Sequence, residues 1–304
     1  MRRILQLAGA AFCLLAMLGG YLVWNNNRSV SAPEGEELRL AREKSIRWLT
    51  NNRDSILASR NAMLWYMIQQ AAEVSRDGRL QTLFEAYEER YLEGNKNNLW
   101  RPLFYPKTWV PIRLDDIANY PDYNQHFFYA ITCDRELAEA PEIAAQNEAA
   151  FCGGHPLRPA CVTHQMMGLL LLKRSECGDT AQLDQTIRML QQRIRKQLTW
   201  DFRVVDVYMQ RVLMLVASGA RDAVKPIWLR QLLKAQQADG GWSNFMPLLP
   251  IGNDRYIGIR RLLAIGPPEA DFHITAQGVL LFTLLTNPPS DSTTTSKILW
   301  PTVL

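Results

Sequence analysis

"VVDVYMQRVLMLVASGARDAVKPIWLRQLLKAQQADGGW", Val204–Trp242, sets two kinds of helix side by side. Its first part, Val204–Ala220, is apolar on most sides, whereas Val224–Gln237 is amphipathic. An amphipathic helix covers a core, and a helix apolar nearly all round sits inside one. The same contrast recurs along the chain. Glu37–Asn52 is amphipathic, with Leu38, Ala41, Ser45, Trp48 and Leu49 on one side at three- and four-residue spacings. Ser59–Val74 is apolar, Gly78–Gly94 amphipathic and Gln125–Cys133 largely apolar. Val162–Leu172 is apolar, Thr180–Leu198 amphipathic, and His273–Leu285 closes the series as apolar. Strand patterns are almost absent. The alternation predicts helical hairpins with one member outside and one inside, irregularly spaced and so a degenerate repeat. A stacked solenoid would expose a face of both helices in each pair. The apolar second helices fit a closed ring better: an all-α protein whose residues 36–288 form an α/α toroid, with a tail at 289–304.

The end of the opening stretch carries a motif. Gln236, Gly240, Gly241 and Trp242 resemble the Gln-x(2–5)-Gly-x-Trp signature of the terpenoid-cyclase and prenyltransferase toroids. Gln231 stands where that motif normally has an aromatic residue. The resemblance implies a structural role, with Gln236 bonding backbone ends and Trp242 packing over the turn. Independently of it, Asp239-Gly240-Gly241 is a good helix stop, because glycine tolerates the left-handed cap conformation. The activities of those families do not follow. There is no Asp-x-Asp-Asp acid, and Asp115-Asp116 falls in a loop. Cys177-Gly178-Asp179 reverses the Asp-x-Cys order of the zinc prenyltransferases, and neither Gly-x-Ser-x-Gly nor a phosphate loop is present. Fold resemblance transfers no chemistry by itself.

The chain has 304 residues, 47% hydrophobic and 21% charged, with a formal charge of +4. Two of the positives, Arg2 and Arg3, precede the first apolar run, so no basic footprint for nucleic acid remains and no nucleic-acid partner is expected. Residues 4–24 are uncharged and about 20 residues long, the length that spans a bilayer. They read as an uncleaved transmembrane signal anchor, the alternative being a cleaved signal. Residues 1–3 would then be cytoplasmic, 25–35 a linker, and the body periplasmic, with the inner membrane as a partner through this single-pass helix.

An oxidising compartment favours disulfides among Cys133, Cys152, Cys161 and Cys177. Cys161 and Cys177 flank one inner helix about 24 Å apart and cannot join. Cys152 can reach Cys161, which leaves Cys133 for Cys177. The competing reading of Cys152-x2-His155-x5-Cys161-x2-His164 is a zinc site, since those are the ligands tetrahedral zinc prefers. Zinc is thus the runner-up to no cofactor.

His126, His164 and His273 each open an apolar inner helix, and Asp206 lies near the start of a fourth. Parallel inner helices would bring these ends to one rim, where helix N-termini favour anionic groups and an imidazole serves as acid or base. Arg211, Tyr208, Gln165 and Gln277 add polar groups on the same helices. The expected function is acid–base chemistry by His164, His273, Asp206 and His126 on a glycan or other envelope polymer. The alternative is a non-catalytic module binding glycan or peptide through the aromatic loops 95–124 and 243–270, with Trp100 and Trp109 as contacts.

Overall fold

The computed structural model describes residues 2–106, 108–154, 158–201, 203–244, 255–256, 264–265 and 268–287. Ten helices of ten or more residues carry the architecture: α1 (Arg2–Asn25), α2 (Gly35–Asn51), α3 (Ala62–Ser75), α4 (Gly78–Glu88), α5 (Asp122–Thr132), α6 (Cys161–Arg174), α7 (Thr180–Trp200), α8 (Asp206–Ala217), α9 (Pro226–Ala235) and α10 (Phe272–Thr286). Short helices at Arg101–Phe104 and Leu114–Ile117 interrupt the aromatic segment 95–124, which the sequence showed without helical period. Among the described residues the only strands are Arg255–Tyr256 and Ala264–Ile265, a two-residue antiparallel pair.

Local chemistry starts the helices where expected. Asp179 accepts from the Ala181 and Gln182 amides at the head of α7, Asp77 caps α4, and Asp271 caps α10 through the His273 amide. Each satisfies a backbone donor that the first turn leaves without a helical acceptor. Burial then divides the helices into two kinds. On α7 only one stripe is buried, Leu183, Ile187, Leu190, Ile194 and Leu198, whereas α10 is buried continuously from Ile274 to Leu285. Helices α3, α6 and α8 are likewise buried on most sides. These inner helices form a chain of neighbours: α3 packs on α10, α10 on α8, α8 on α6, and α6 on α5. The amphipathic α2, α4, α7 and α9 pack outside them. The protein is therefore all-helical, with alternating inner and outer members.

The turn that ends α9 joins three helices. The Gln236 side-chain amide donates to Ala41 O of α2 and to Gly240 O, both at 2.8 Å. Trp242 Nε1–H donates to Leu232 O of α9 at 2.8 Å, and its ring stacks on Phe282 of α10 with centroids 5.5 Å apart. Gly240 has φ 101°, and a Cβ there would fall on the Lys44 carbonyl. Only glycine meets both conditions.

The N-terminal region is corrected. Residues 2–25 do form a helix, but among the described residues no helix is long and apolar enough to cross a membrane. The single-pass anchor at 4–24 is thus overturned, together with the inner-membrane topology that rested on it. Nor are the residues after α1 a loose tether. Asn26 is fully buried; its amide donates to Leu198 O at 2.7 Å, its carbonyl accepts from Trp228 Nε1, and its Oδ1 accepts from Tyr208 Oη. Asn27 adds bonds to Thr199 O and from Lys225 Nζ. The end of α1 is fastened to α7, α8 and α9.

Cys133 and Cys177 are paired, with Cα atoms 5.6 Å apart, as are Cys152 and Cys161 at 5.7 Å. These are the two expected pairs, and they are compatible with an extracytoplasmic location. They also take Cys152 and Cys161 away from the four-ligand zinc arrangement, of which His155 lies outside the described residues. Among the described residues no three His, Cys, Asp or Glu side chains cluster as a metal site.

Candidate functional site

One cavity of about 250 Å³ is lined from the N-terminal halves of all five inner helices. Asn61, Met63 and Met67 come from the head of α3; Tyr123, Asn124 and Phe127 from α5; His164 and Met167 from α6. Gln210 of α8 and His273 and Gln277 of α10 complete the wall, while Trp100 and Tyr120 of the aromatic segment close its side. Its volume is near the lower end for small-ligand sites. Polar groups sit at the mouth and partway down. Deeper in, Met63, Met67, Met167 and Met214 pack the core.

His164 is the best-defined group. Its Nδ1 lies 2.9 Å from Ala160 O, and a carbonyl only accepts, so Nδ1 carries the proton and Nε2 the lone pair. Burial pushes its pKa down to about 4; the bond to Ala160 opposes this, and the neighbouring His273 lowers it further. The neutral ring stacks on Tyr123, centroids 4.1 Å apart. His273 stands one helical turn above Gln277 on the same face of α10. Gln277 is 1% exposed, and its Oε1 accepts no hydrogen bond among the described residues. On α8, the Gln210 Oε1 accepts from Thr163 Oγ1 while its residue lines the cavity. No carboxylate is among the described lining residues.

The other expected residues are placed elsewhere. His126 is buried, its Nε2 bonded to Asn147 Oδ1 at 2.9 Å and its ring pressed against Gly168 of α6, where a Cβ would overlap it. It sits about 60° from Tyr123 around α5, on the side away from the cavity. Asp206 does not line the cavity. Tyr208 is about 160° from Gln210 around α8 and donates to Asn26 instead. Arg211 is clamped by Asp201 at 2.7 Å, Gln197 at 3.1 Å and Pro159 O at 3.1 Å. Gln165 donates to Gln146 O and Glu148 O. Trp109 is 83% exposed and lines none of the described cavities. Most of loop 243–270 lies outside the described residues. Sequence reasoning missed Asn61, Tyr123 and Asn124. Asn61 was readable by the same rule as the histidines, since it immediately precedes an apolar inner helix.

His126 yields a pH prediction. Burial lowers its pKa to about 4, against the Asn147 bond that raises it, while in the unfolded chain it titrates near 6.5. Between those values the unfolded chain holds more protons, so stability is highest above about pH 6.5 and falls as pH drops towards 4, by on the order of 3 kcal/mol. Urea midpoints across that window should slope less in His126→Asn than in the wild type. Parallel slopes would show that another group titrates.

Compared with protein-family models, with curated proteins and with solved structures, the chain matches none.

Proposed function

We propose that this chain is an α/α toroid whose rim cavity binds the end of a glycan or similar polymer and acts on it by acid–base chemistry. The neighbour chain α3–α10–α8–α6–α5 and the outer α2, α4, α7 and α9 support the toroid. So does the Gln236–Trp242 turn, which makes the contacts implied by the resemblance to terpenoid-cyclase toroids. The observation that carries the function is the pairing of His164 with His273 in one cavity with Gln277. A neutral imidazole with its tautomer held by Ala160 offers Nε2 as base, and His273 is the partner acid. The Gln277 Oε1 suits a ligand hydroxyl, because a buried acceptor without a donor costs about 1–3 kcal/mol until something supplies one. No carboxylate lines the cavity among the described residues, so the reading rests on the histidines and not on the carboxylate pair of a glycosidase.

The binding-module alternative keeps one specific support: Trp100 and Tyr120 of the aromatic segment line the same cavity as the histidines. The two readings therefore compete for one site and separate by turnover. Neutral and acidic oligosaccharides are screened by calorimetry for binding and by mass spectrometry for products, with His164→Gln and Gln277→Leu alongside the wild type. We expect Gln277→Leu to hold or raise Tm, since it removes a buried acceptor without a donor among the described residues, while weakening ligand about tenfold. His164→Gln should lower turnover about a hundredfold. Binding without products in the wild type would make the protein a module. Binding and turnover intact in both variants would remove the cavity's claim.

A further inference from the structure

A second depression, about 590 Å³, runs along the outer face of α7 and across to α8. Arg158, Arg193, Lys196, Arg203 and Arg211 line it against one carboxylate, Asp201. That carboxylate is already shared: Arg211 reaches it at 2.7 Å and Arg203 at 2.8 Å. Arg158 is paired with Asp122 at 2.9 Å from outside the depression. Arg193 donates to the Ala149 carbonyl, and neither it nor Lys196 has an ion-pair partner among the described residues. Positive charge therefore remains in the groove after every internal pairing. Arg193, Lys196, Gln197 and Trp200 recur at three- and four-residue spacing, which places them on one face of α7. Trp200, at the end of that face, is 65% exposed.

We infer that this groove is a second binding site, one that takes an acidic glycan, a chain of sugar rings bearing carboxylates or phosphates. The cations supply the attraction, and the exposed indole supplies a flat surface for the C–H face of a pyranose. An acidic peptide would use the charges and have no comparable use for the ring. Position adds to this. The groove meets a third depression, of about 520 Å³, at Arg158, Pro159 and Cys161, and that one meets the histidine cavity at Tyr123 and His164. A chain seated on α7 thus has a surface path towards the cavity. The choice of a glycan rests on the reading of that cavity; the site for an anion rests on the groove alone.

Calorimetry on the full chain tests it with tetragalacturonate, a phosphorylated tetramannoside, neutral cellotetraose and an octaglutamate peptide. At low salt one of the acidic sugars should bind about tenfold tighter than cellotetraose, and the better of the two identifies the anionic group. Raising salt to about 0.3 M should weaken it several-fold by screening. Lys196→Glu should cost about tenfold and Trp200→Ala about fivefold, both at exposed positions, with Lys196→Gln intermediate and circular dichroism unchanged. In His164→Gln and Gln277→Leu, which alter only the cavity, an acidic-sugar binding step sensitive to Lys196→Glu should persist, so the groove stands even where the cavity reading fails. Equal affinity for neutral and acidic sugars, no binding of either, or indifference to Lys196→Glu overturns the proposal. So does octaglutamate binding more tightly than the sugars with Trp200→Ala silent, which would make the groove a peptide site.

Discussion

Trp242→Ala lowers the stability of the fold by about 3–5 kcal/mol, read as a shift in urea midpoint with the slope unchanged. The indole is among the largest fully buried side chains of the protein. Its removal opens a cavity between α9 and α10, because Phe282 stacks on the ring and Gly278 approaches its six-membered ring closely, both held by α10. It also deletes the Nε1–H bond to Leu232 O, worth about 1 kcal/mol. A tryptophan of similar composition but opposite burial is the control: Trp109→Ala, at 83% exposure, should stay within about 0.5 kcal/mol. A loss below about 1 kcal/mol for Trp242→Ala would show that α2, α9 and α10 hold together without this turn.

Replacing Cys133 and Cys177 together by serine costs about 4 kcal/mol, the chain-entropy value for a closed loop of this length. The bridge spans 44 residues, from the end of α5, across short helices at Arg135–Glu139 and Pro141–Ala144 and the 152–161 loop, to the residues just after α6. Without it the unfolded chain regains the freedom of that whole segment, while the packing of α5 on α6 remains to be satisfied. Cys152–Cys161 closes only nine residues, so the matching double serine variant should lose less, about 2.5 kcal/mol. Both are checked by chemical denaturation under non-reducing conditions, where equal losses would contradict the loop-length dependence.

How much was legible follows from which property of a residue each inference needed. Inner and outer helices were readable because burial on all sides demands apolar residues on all sides, as from Ile274 to Leu285, while α7 needed only its stripe from Leu183 to Leu198. The turn at Gln236–Trp242 was readable because its glycine, amide and indole each have one geometric use there. The cysteine pairing was readable from the length of α6, which keeps Cys161 from Cys177.

The site was legible only in part. His164, His273 and Gln277 do share a cavity, with Trp100 beside them. His126, Tyr208, Gln165 and Arg211 are also polar and lie on inner helices, yet they face elsewhere and are held by Asn147, Asn26, Gln146 and Asp201. A position near a helix start gives depth along the axis; it does not give rotation about it. At about 100° per residue, a step of one or two positions turns a side chain from the cavity into the core. Rotation is set by the neighbouring helices, such as Gly168 of α6 accepting the ring of His126.

The N-terminal segment shows the same division. Its uncharged run predicted a membrane span and a free linker, because composition alone registers apolarity. What Asn26 and Asn27 bond to depends on α7, α8 and α9, brought together from residues 180–235. The helical class, the alternation of inner and outer helices, the glycine-capped turn and the cysteine pairs follow from local pattern or chain length and are written in the residues. Which polar side chains meet in the cavity, which cations line the groove on α7, and where the end of α1 is fastened come from the packing of the helices. Those depend on helix rotation and on contacts between residues far apart in the chain, and no local pattern encodes either.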